Sequence, residues 1–159
     1  MIENVTGSKY THVGIIYIKD GKTFVLEAVQ PVKLTPLNDF INRGVNSKYT
    51  VVRYYKKLSD DQMKRMYNYA ISQLGKNYDM KFQWSDNKMY CSELVYKIYW
   101  NAGIALCDIN QFKDYDLSSD EVQKAIKSRY NTAINPNEQI ITPVDLYNSR
   151  SIITVFDNY

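Results

Sequence analysis

The chain has 159 residues, of which 45% are hydrophobic and 23% are charged. These values are ordinary for a folded protein and exclude a disordered chain, and the length suits one domain with one core. The net charge of +3 is small and the basic residues are scattered, which argues against nucleic acid or a membrane surface as a partner. We therefore expect a single domain over residues 1–159.

The scarce residue types narrow the chemistry further. The chain has one histidine, His12, and two cysteines, Cys91 and Cys107, and no two of them have the close spacing of zinc ligands. Two cysteines in a chain of this length do not make a disulfide scaffold. No apolar run approaches the roughly 20 residues of a membrane-spanning helix, and residues 1–10 lack the apolar stretch of a signal peptide. We expect no metal, no cofactor and no transmembrane segment, and the compartment stays open.

The first strand signals form a hairpin. Residues 12–18 (HVGIIYI) and 23–29 (TFVLEAV) are rich in β-branched residues and flank the pair Asp20-Gly21. Asp-Gly between two such runs indicates a tight turn, because glycine tolerates the positive φ that the turn requires. The sequence therefore predicts two antiparallel strands joined by this turn.

Further strands are predicted later in the chain. Pro31 and Pro36 are expected to end regular pairing after the hairpin, because proline cannot donate to a strand ladder. Residues 49–55 (YTVVRYY) are expected to form a third strand, and residues 152–156 a final strand that closes the same sheet.

Helical spacing appears between residues 59 and 75. Ser59 and Gln62 make a capping box at its start, and Gly75 is a natural stop. The apolar positions recur every three or four residues and are expected to share one buried face: Met63, Met66, Tyr67, Ala70, Ile71 and Leu74.

Three more helices are predicted toward the C-terminus. One begins near Cys91 and ends at Gly103, with an apolar stripe made by Leu94, Val95, Ile98 and Tyr99. Another covers residues 119–130, with Ser118 and Glu121 as its capping box and with Val122, Ala125 and Ile126 facing inward. Thr142-Pro143 indicates the start of a short helix, because proline is favoured at the first helical position. The fold class is α+β, with a small, mostly antiparallel sheet packed against helices that include the one starting at Cys91.

Cys91 lies at or near the first turn of its predicted helix. The unpaired N–H groups and the helix dipole favour an anion there, so the thiol should lose its proton more readily than a free cysteine. The same N–H groups can hold the oxyanion that forms when a thiolate attacks a carbonyl. The alternative is an inert buried cysteine, which is the interpretation that we favour for Cys107.

His12 is the one imidazole that could serve Cys91 as a base. A two-residue loop at Asp20-Gly21 pairs Gly14 with Glu27, which makes His12 and Glu27 diagonal neighbours on one face of the hairpin. A carboxylate in that position can accept a hydrogen bond from the imidazole and support its charged form. The alternative is a solvated strand residue.

Other side chains are weaker candidates. Tyr10, Tyr78 and Tyr90 could each donate a hydrogen bond to a substrate, although a chain with fifteen tyrosines uses most of them in packing. Glu93 is expected to complement the helix dipole and not to act as a catalyst. No phosphate-binding glycine loop is present in the sequence.

Three ordered motifs resemble one known family. They resemble the circularly permuted papain-like cysteine hydrolases of the NlpC-type superfamily, in the YiiX/YaeF-like branch, in which the histidine precedes a glutamate and the cysteine comes last. The resemblance extends from Ser8 through most of the chain and includes the following segments: residues 8–15 (SKYTHVGI), 26–28 (LEA), 78–79 (YD), 90–95 (YCSELV) and 143–146 (PVDL).

The resemblance implies His12 as base, Cys91 as nucleophile and Glu27 as the polar third member. It also implies a small sheet packed on the cysteine helix and cleavage of amide, often peptide-like, bonds. Family members usually have a strand with a Gly-Asp pair and a helix before the histidine, whereas eleven residues precede His12 here. We therefore expect a different cleft wall and leave open a truncated N-terminus.

Three functions follow as hypotheses. The first is a thiol hydrolase that acts on a small peptide, amide or acyl substrate through an acyl-enzyme. The second is an acyltransferase, or a lipid-amide or ester hydrolase, that uses the same cysteine and histidine. Lecithin:retinol-acyltransferase-like proteins are similar in outline, but their Asn-Cys-Glu-His segment is replaced here by Tyr-Cys-Ser-Glu. The third is a binding module with an inert cysteine. The substrate and the oligomeric state stay open.

Overall fold

The computed structural model describes residues 2–130 and 133–159 and has an α+β architecture, as the sequence predicts. Its strands pair antiparallel in small separate sheets. The strands are β1 (Ile15–Lys19), β2 (Lys22–Glu27), β3 (Lys33–Pro36), β4 (Thr50–Tyr54), β5 (Asn110–Gln111), β6 (Gln139–Ile140) and β7 (Ile152–Asp157). The helices are α1 (Ile2–Thr6), α2 (Leu37–Asn42), α3 (Asp60–Ser72), α4 (Cys91–Asn101), α5 (Asp120–Tyr130) and α6 (Pro143–Tyr147), with single 3-10 turns at Val45–Ser47 and Phe112–Asp114.

The hairpin has the predicted register. Lys19 pairs with Lys22 across the turn, and both Asp20 (φ 50°) and Gly21 (φ 71°) have the positive φ of a tight hairpin turn. However, β1 begins at Ile15, so His12 lies three residues before the strand and not at its start.

A third strand of this sheet was missed by the sequence analysis. Pro31 and Pro36 were expected to end pairing, but β3 lies between them and pairs with β2, with Pro36 opposite Phe24. Since β3 is an edge strand of four residues with Pro36 at its end, the missing N–H is tolerated.

The final strand does not join this sheet. β7 was expected to close it, but it pairs antiparallel with β4 to form a separate two-stranded ribbon. A register shift between Val51 and Val52 interrupts the pairing, which is typical of a β-bulge. The pattern of β-branched residues predicted both strands but carried no information about the partner.

Helix α4 lies at the centre of the main core. Eight of its eleven residues are buried, including the predicted Leu94, Val95 and Ile98. Helix α3 packs against it and has the predicted Ser59–Gln62 capping box, with Gln62 N donating to Ser59 Oγ at 3.1 Å. Met66 and Ala70 are buried, but Met63 (55% exposed), Tyr67 (53% exposed) and Leu74 (38% exposed) are not, contrary to the prediction.

The cap of α5 differs from the prediction by one residue. Val122 N donates to Ser119 Oγ at 3.3 Å, so Ser119 is the capping residue. Ser118 Oγ instead donates to Asp116 at 2.6 Å, because the preceding turn directs it there. The inward positions Val122 and Ile126 are buried as predicted.

In the described part of the chain, no helix is both long and apolar enough to cross a membrane. That residues 1–159 form one domain stays a prediction.

Candidate active site

Cys91 is the first residue of α4 and is almost fully buried, with 3% of its surface exposed. Neighbouring Ser92 fixes this end of the helix, since its hydroxyl donates to Ile141 O at 2.7 Å. Burial alone would raise the pKa of the Cys91 thiol, but the hydrogen bond and charge of His12, together with the backbone at Val13, lower it. The site therefore favours a thiolate paired with an imidazolium.

His12 joins Cys91 to Glu27. Its Nε2 donates to Glu27 Oε2 at 2.6 Å, which leaves Nδ1 as the ring nitrogen for the thiol. The side chain is 33% exposed, and its ring lies against Phe40 with centroids 5.7 Å apart. Desolvation disfavours the charged ring, but the hydrogen bonds with Cys91 and Glu27 outweigh this effect and raise the pKa of His12 to about 9.

Glu27 is the last residue of β2, and none of its surface is exposed. Besides His12, it accepts hydrogen bonds from Thr35 Oγ1 at 2.5 Å and from Arg43 Nη2 at 2.5 and 2.6 Å. Burial alone would raise the pKa of the carboxyl, but these three donors outweigh burial and lower the pKa to about 2. The carboxylate therefore stays ionised although it is buried.

Gly14 lets the histidine segment approach Glu27. A Cβ atom at this position would lie 2.3 Å from Val25 Cγ1, 3.0 Å from the Leu26 carbonyl oxygen and 3.3 Å from Glu27 Cβ. Any other residue would force the two chain segments apart. From the sequence, Gly14 was expected only to pair with Glu27, and its steric role was not predicted.

Tyr78 interacts with the thiol. Its pKa is raised by burial and by the charge of the Cys91 thiolate. Its backbone N–H donates to Gln30 Oε1 at 2.8 Å, while Gln30 Nε2 donates to Asn77. His12 and Tyr78 also line a cleft of about 420 Å³ together with Ala28, Val29, Gln30 and Met80.

The other two tyrosines lie away from this cleft. Tyr90 is 1% exposed and accepts a hydrogen bond from Ile141 N at 3.2 Å, so it is a core residue and cannot contact substrate. Tyr10 packs against Tyr147 with tilted rings 4.3 Å apart, and its hydroxyl pairs with Thr50 at 3.1 Å, outside the cleft lining. Both tyrosines pack, as most tyrosines in the chain were expected to do.

Glu93 and Cys107 lie apart from the cleft. Glu93 accepts from Tyr90 N at 3.3 Å and from Lys97 Nζ at 2.8 Å, which closes the first turn of α4. Burial raises the pKa of Glu93 to about 7. Burial also raises the pKa of the Cys107 thiol to about 12. Cys107 therefore stays protonated near neutral pH.

Papain-like enzymes combine a cysteine, a histidine and a polar group behind the imidazole, and Cys91, His12 and Glu27 meet here in that arrangement. In keeping with this, the chain belongs to the permuted papain-like amidase enzyme family YaeF/YiiX, C92, whose model matches residues 1–155. The resemblance drawn from the sequence is thereby confirmed for the family and the fold.

Two relatives show how far the similarity extends. The uncharacterized protein YiiX of Escherichia coli strain K12 is 39% identical over 155 residues, which cover 97% of this chain and 77% of YiiX. The crystal structure of yiiX from Escherichia coli O157:H7, described as a metalloprotein, matches with a TM-score of 0.94 and 38% identity. That match covers 99% of this chain and 88% of the other.

Proposed function

We propose that this protein is a cysteine hydrolase that cleaves an amide, peptide-like bond through an acyl-enzyme. The observation that carries the proposal is the position of His12, which hydrogen-bonds both the Cys91 thiol and the buried Glu27 carboxylate. The family, described as an amidase, supports the same reaction class.

In the first step, the Cys91 thiolate attacks the carbonyl carbon of the substrate and forms an S–C bond. The carbonyl oxygen becomes an oxyanion, for which the Tyr78 hydroxyl and the Cys91 backbone N–H are the nearby donors. As the C–N bond breaks, the His12 imidazolium gives its proton to the leaving amine. Glu27 remains ionised and stabilises the charged imidazole before that transfer.

In the second step, water releases the acyl group. The neutral His12 takes a proton from water, and the resulting hydroxide attacks the thioester carbon. The S–C bond then breaks, and Cys91 leaves as a thiolate beside the recharged imidazolium. The products are a free acid and an amine, and the site returns to its starting charge.

A metal does not fit these residues. Although one relative is described as a metalloprotein, no three His, Cys, Asp or Glu side chains within residues 2–130 and 133–159 are grouped so that they could hold an ion. Glu27, which has the best-placed carboxylate, is already bound by Thr35, Arg43 and His12. The proposed steps therefore use the chain's own side chains.

The proposal is tested by trapping the acyl-enzyme. One sample is labelled with a thiol-directed activity probe to show that Cys91 is reactive. A second, unlabelled sample is mixed with a panel of peptides and acyl amides and followed by intact mass spectrometry. We expect a substrate-derived adduct on Cys91 that disappears with time as free acid accumulates, and no adduct on C91A. C107A is the matched control and should behave as the wild type.

Two other outcomes would contradict the hydrolase. Release of the acyl group to an added amine instead of water would indicate an acyltransferase, and the absence of any adduct across the panel would favour the binding module.

A further inference from the structure

We propose that Arg43 is a positioning residue that keeps Glu27 ionised and so sets the lower pH limit of the reactive Cys91–His12 pair. This inference rests on the proposed function, because it concerns the same site. Arg43 would thus be a fourth residue that controls the site, in addition to Cys91, His12 and Glu27.

The contact between Arg43 and Glu27 is an ion pair whose carboxylate is fully buried. One guanidinium nitrogen, Nη2, lies 2.5 and 2.6 Å from the two carboxylate oxygens, so the cation and the anion are in direct hydrogen-bonding contact. No surface of Glu27 is exposed, so water cannot stabilise its charge. A carboxyl buried without a cation would bind a proton instead. Arg43 supplies a cation that does not titrate at working pH.

The charges in the site alternate along a chain of four groups. The Cys91 thiolate faces the His12 imidazolium, which faces the Glu27 carboxylate, which faces the Arg43 guanidinium. Their formal charges sum to zero. Without Arg43, the three remaining groups would carry a net negative charge in a buried place, and the simplest neutralisation is protonation of Glu27.

Other groups near Glu27 do not replace Arg43. The His12 imidazolium is a cation beside Glu27 Oε2, but it gives up its proton in the proposed reaction, whereas the guanidinium keeps its charge. Thr35 donates a hydrogen bond but has no charge. Lys33 lies opposite Glu27 in the β2–β3 register but forms no ion pair with it, whereas Arg43, although its side chain is 46% exposed, contacts both carboxylate oxygens. Tyr78, which faces the thiol, is neutral because its pKa is raised.

Phe40 holds the guanidinium and the imidazole on one apolar surface. The Arg43 guanidinium carbon lies 5.5 Å from the Phe40 ring centroid, and the His12 ring centroid lies 5.7 Å from the same ring. Phe40 belongs to α2, and Arg43 follows directly after this helix. The short helix α2 therefore carries both residues that flank the His12–Glu27 contact.

The test compares three substitutions that separate charge from hydrogen bonding. R43M removes both, R43Q keeps a donor without charge, and R43K keeps a charge on a single nitrogen. For each variant, the rate of Cys91 alkylation by iodoacetamide is measured across pH, with the Cys91 peptide resolved by mass spectrometry. We expect the midpoint to move upward by about one pH unit in R43M and R43Q, and R43K to recover most of the shift. R65M is the matched control, because Arg65 pairs with Asp61 on the exposed surface of α3.

The outcomes are distinct. An unchanged or lower midpoint in folded R43M and R43Q would overturn the role of Arg43, because the carboxylate would then need no cation besides the His12 imidazolium. If R43M does not fold, the difference between R43Q and R43K decides the question. A wild-type midpoint near the free-thiol value would instead overturn the proposed function, whatever the Arg43 variants show.

Discussion

His12 can link a nucleophile to a carboxylate only because its two ring nitrogens have different partners. The bond from Nε2 to Glu27, 2.6 Å long, orients the ring and leaves Nδ1 for the Cys91 thiol. Since Glu27 is itself fixed by Thr35 and Arg43, the orientation of the imidazole is set three contacts away from the thiol. Removal of any of these contacts should therefore affect the reactivity of the Cys91 thiol more than it affects the stability of the fold.

Tyr78 should matter for turnover far more than Tyr10 does. Y78F removes the hydroxyl proposed as an oxyanion donor near Cys91, and the loss of one such donor typically lowers kcat about 10²- to 10³-fold. Y10F removes a hydroxyl that pairs with Thr50 outside the cleft, and kcat should be unchanged. Steady-state kinetics on the substrate found by acyl-enzyme trapping measures both variants. Equal kcat for Y78F and the wild type would show that Tyr78 is not an oxyanion donor.

Sequence alone could predict part of the site. His12 is the one imidazole in the chain, and the Asp20-Gly21 turn fixes the hairpin register that brings it near Glu27. Arg43 could not be predicted, because its contact with Glu27 spans 16 residues and depends on how α2 packs. Thr35 was missed for another reason: the flanking prolines hid β3, whose pairing with β2 places Thr35 opposite Val25, two residues before Glu27.

At the level of the elements, the hairpin positions the base and α4 positions the nucleophile. Helix α4 is held from its polar side, where Lys97 Nζ contacts Glu93, Asp86 and the Ser85 carbonyl oxygen at 2.8 to 3.0 Å. Removing one partner of such a buried ion pair strongly destabilises the fold, because the other charge is left buried and unpaired. The pair therefore ties the segment before Cys91 to the helix that Cys91 begins.

Gly14 gives a prediction for the hairpin. In G14A the new methyl group would collide with Val25 and the Leu26 carbonyl, so we expect a stability loss of about 1–3 kcal/mol together with a raised Cys91 alkylation midpoint. G21A is the matched control: the φ of Gly21 is +71° but its Cβ site is open, so strain should lower stability by about 1–2 kcal/mol. Its alkylation midpoint should be that of the wild type. Urea unfolding measures stability, and alkylation across pH measures the Cys91 midpoint. A wild-type midpoint in G14A would show that the close approach of Gly14 to Glu27 does not affect the reactivity of Cys91.

Helices were easier to predict than strand partners. The Ser59–Gln62 box and the start at Cys91 are local signals, and both appear where expected. The partner of β7 is a long-range property, because residues 152–157 pair with residues 50–54 across about a hundred positions of sequence. The apolar spacing of α3 likewise predicted which side of the helix is buried but not how much of that side is covered. Met63 and Tyr67 were therefore wrongly expected to be buried.

For the whole molecule, the charged site should make stability depend on pH. The pKa of Glu27 is lowered from 4.5 to about 2 on folding, so the unfolded chain binds more protons in this range. Its contribution is therefore complete above pH 4.5 and is lost as the pH falls toward 2. Between about pH 6.5 and 9, the thiolate–imidazolium pair and the separated neutral groups hold the same number of protons, so this pair adds little pH dependence there.

The variant E27Q separates this effect from general acid unfolding. Urea unfolding at about pH 6 and about pH 3 should show a larger loss of free energy in the wild type than in E27Q, which has no carboxyl to protonate at that position. E121Q is a suitable control, because Glu121 is exposed on α5. Equal losses in the wild type and in E27Q would mean that the pKa of Glu27 is not lowered by folding.

The pairing of Cys91 with His12 can be measured without a substrate. The rate of Cys91 alkylation by iodoacetamide is followed across pH in a C107A background, in the wild-type site and in H12A. We expect a thiolate that persists well below pH 8 in the wild-type site, and a midpoint in H12A that returns toward the free-thiol value of about 8.5. A wild-type midpoint already near that value, or one that H12A leaves unchanged, would refute the thiolate–imidazolium pair and with it the proposed hydrolase.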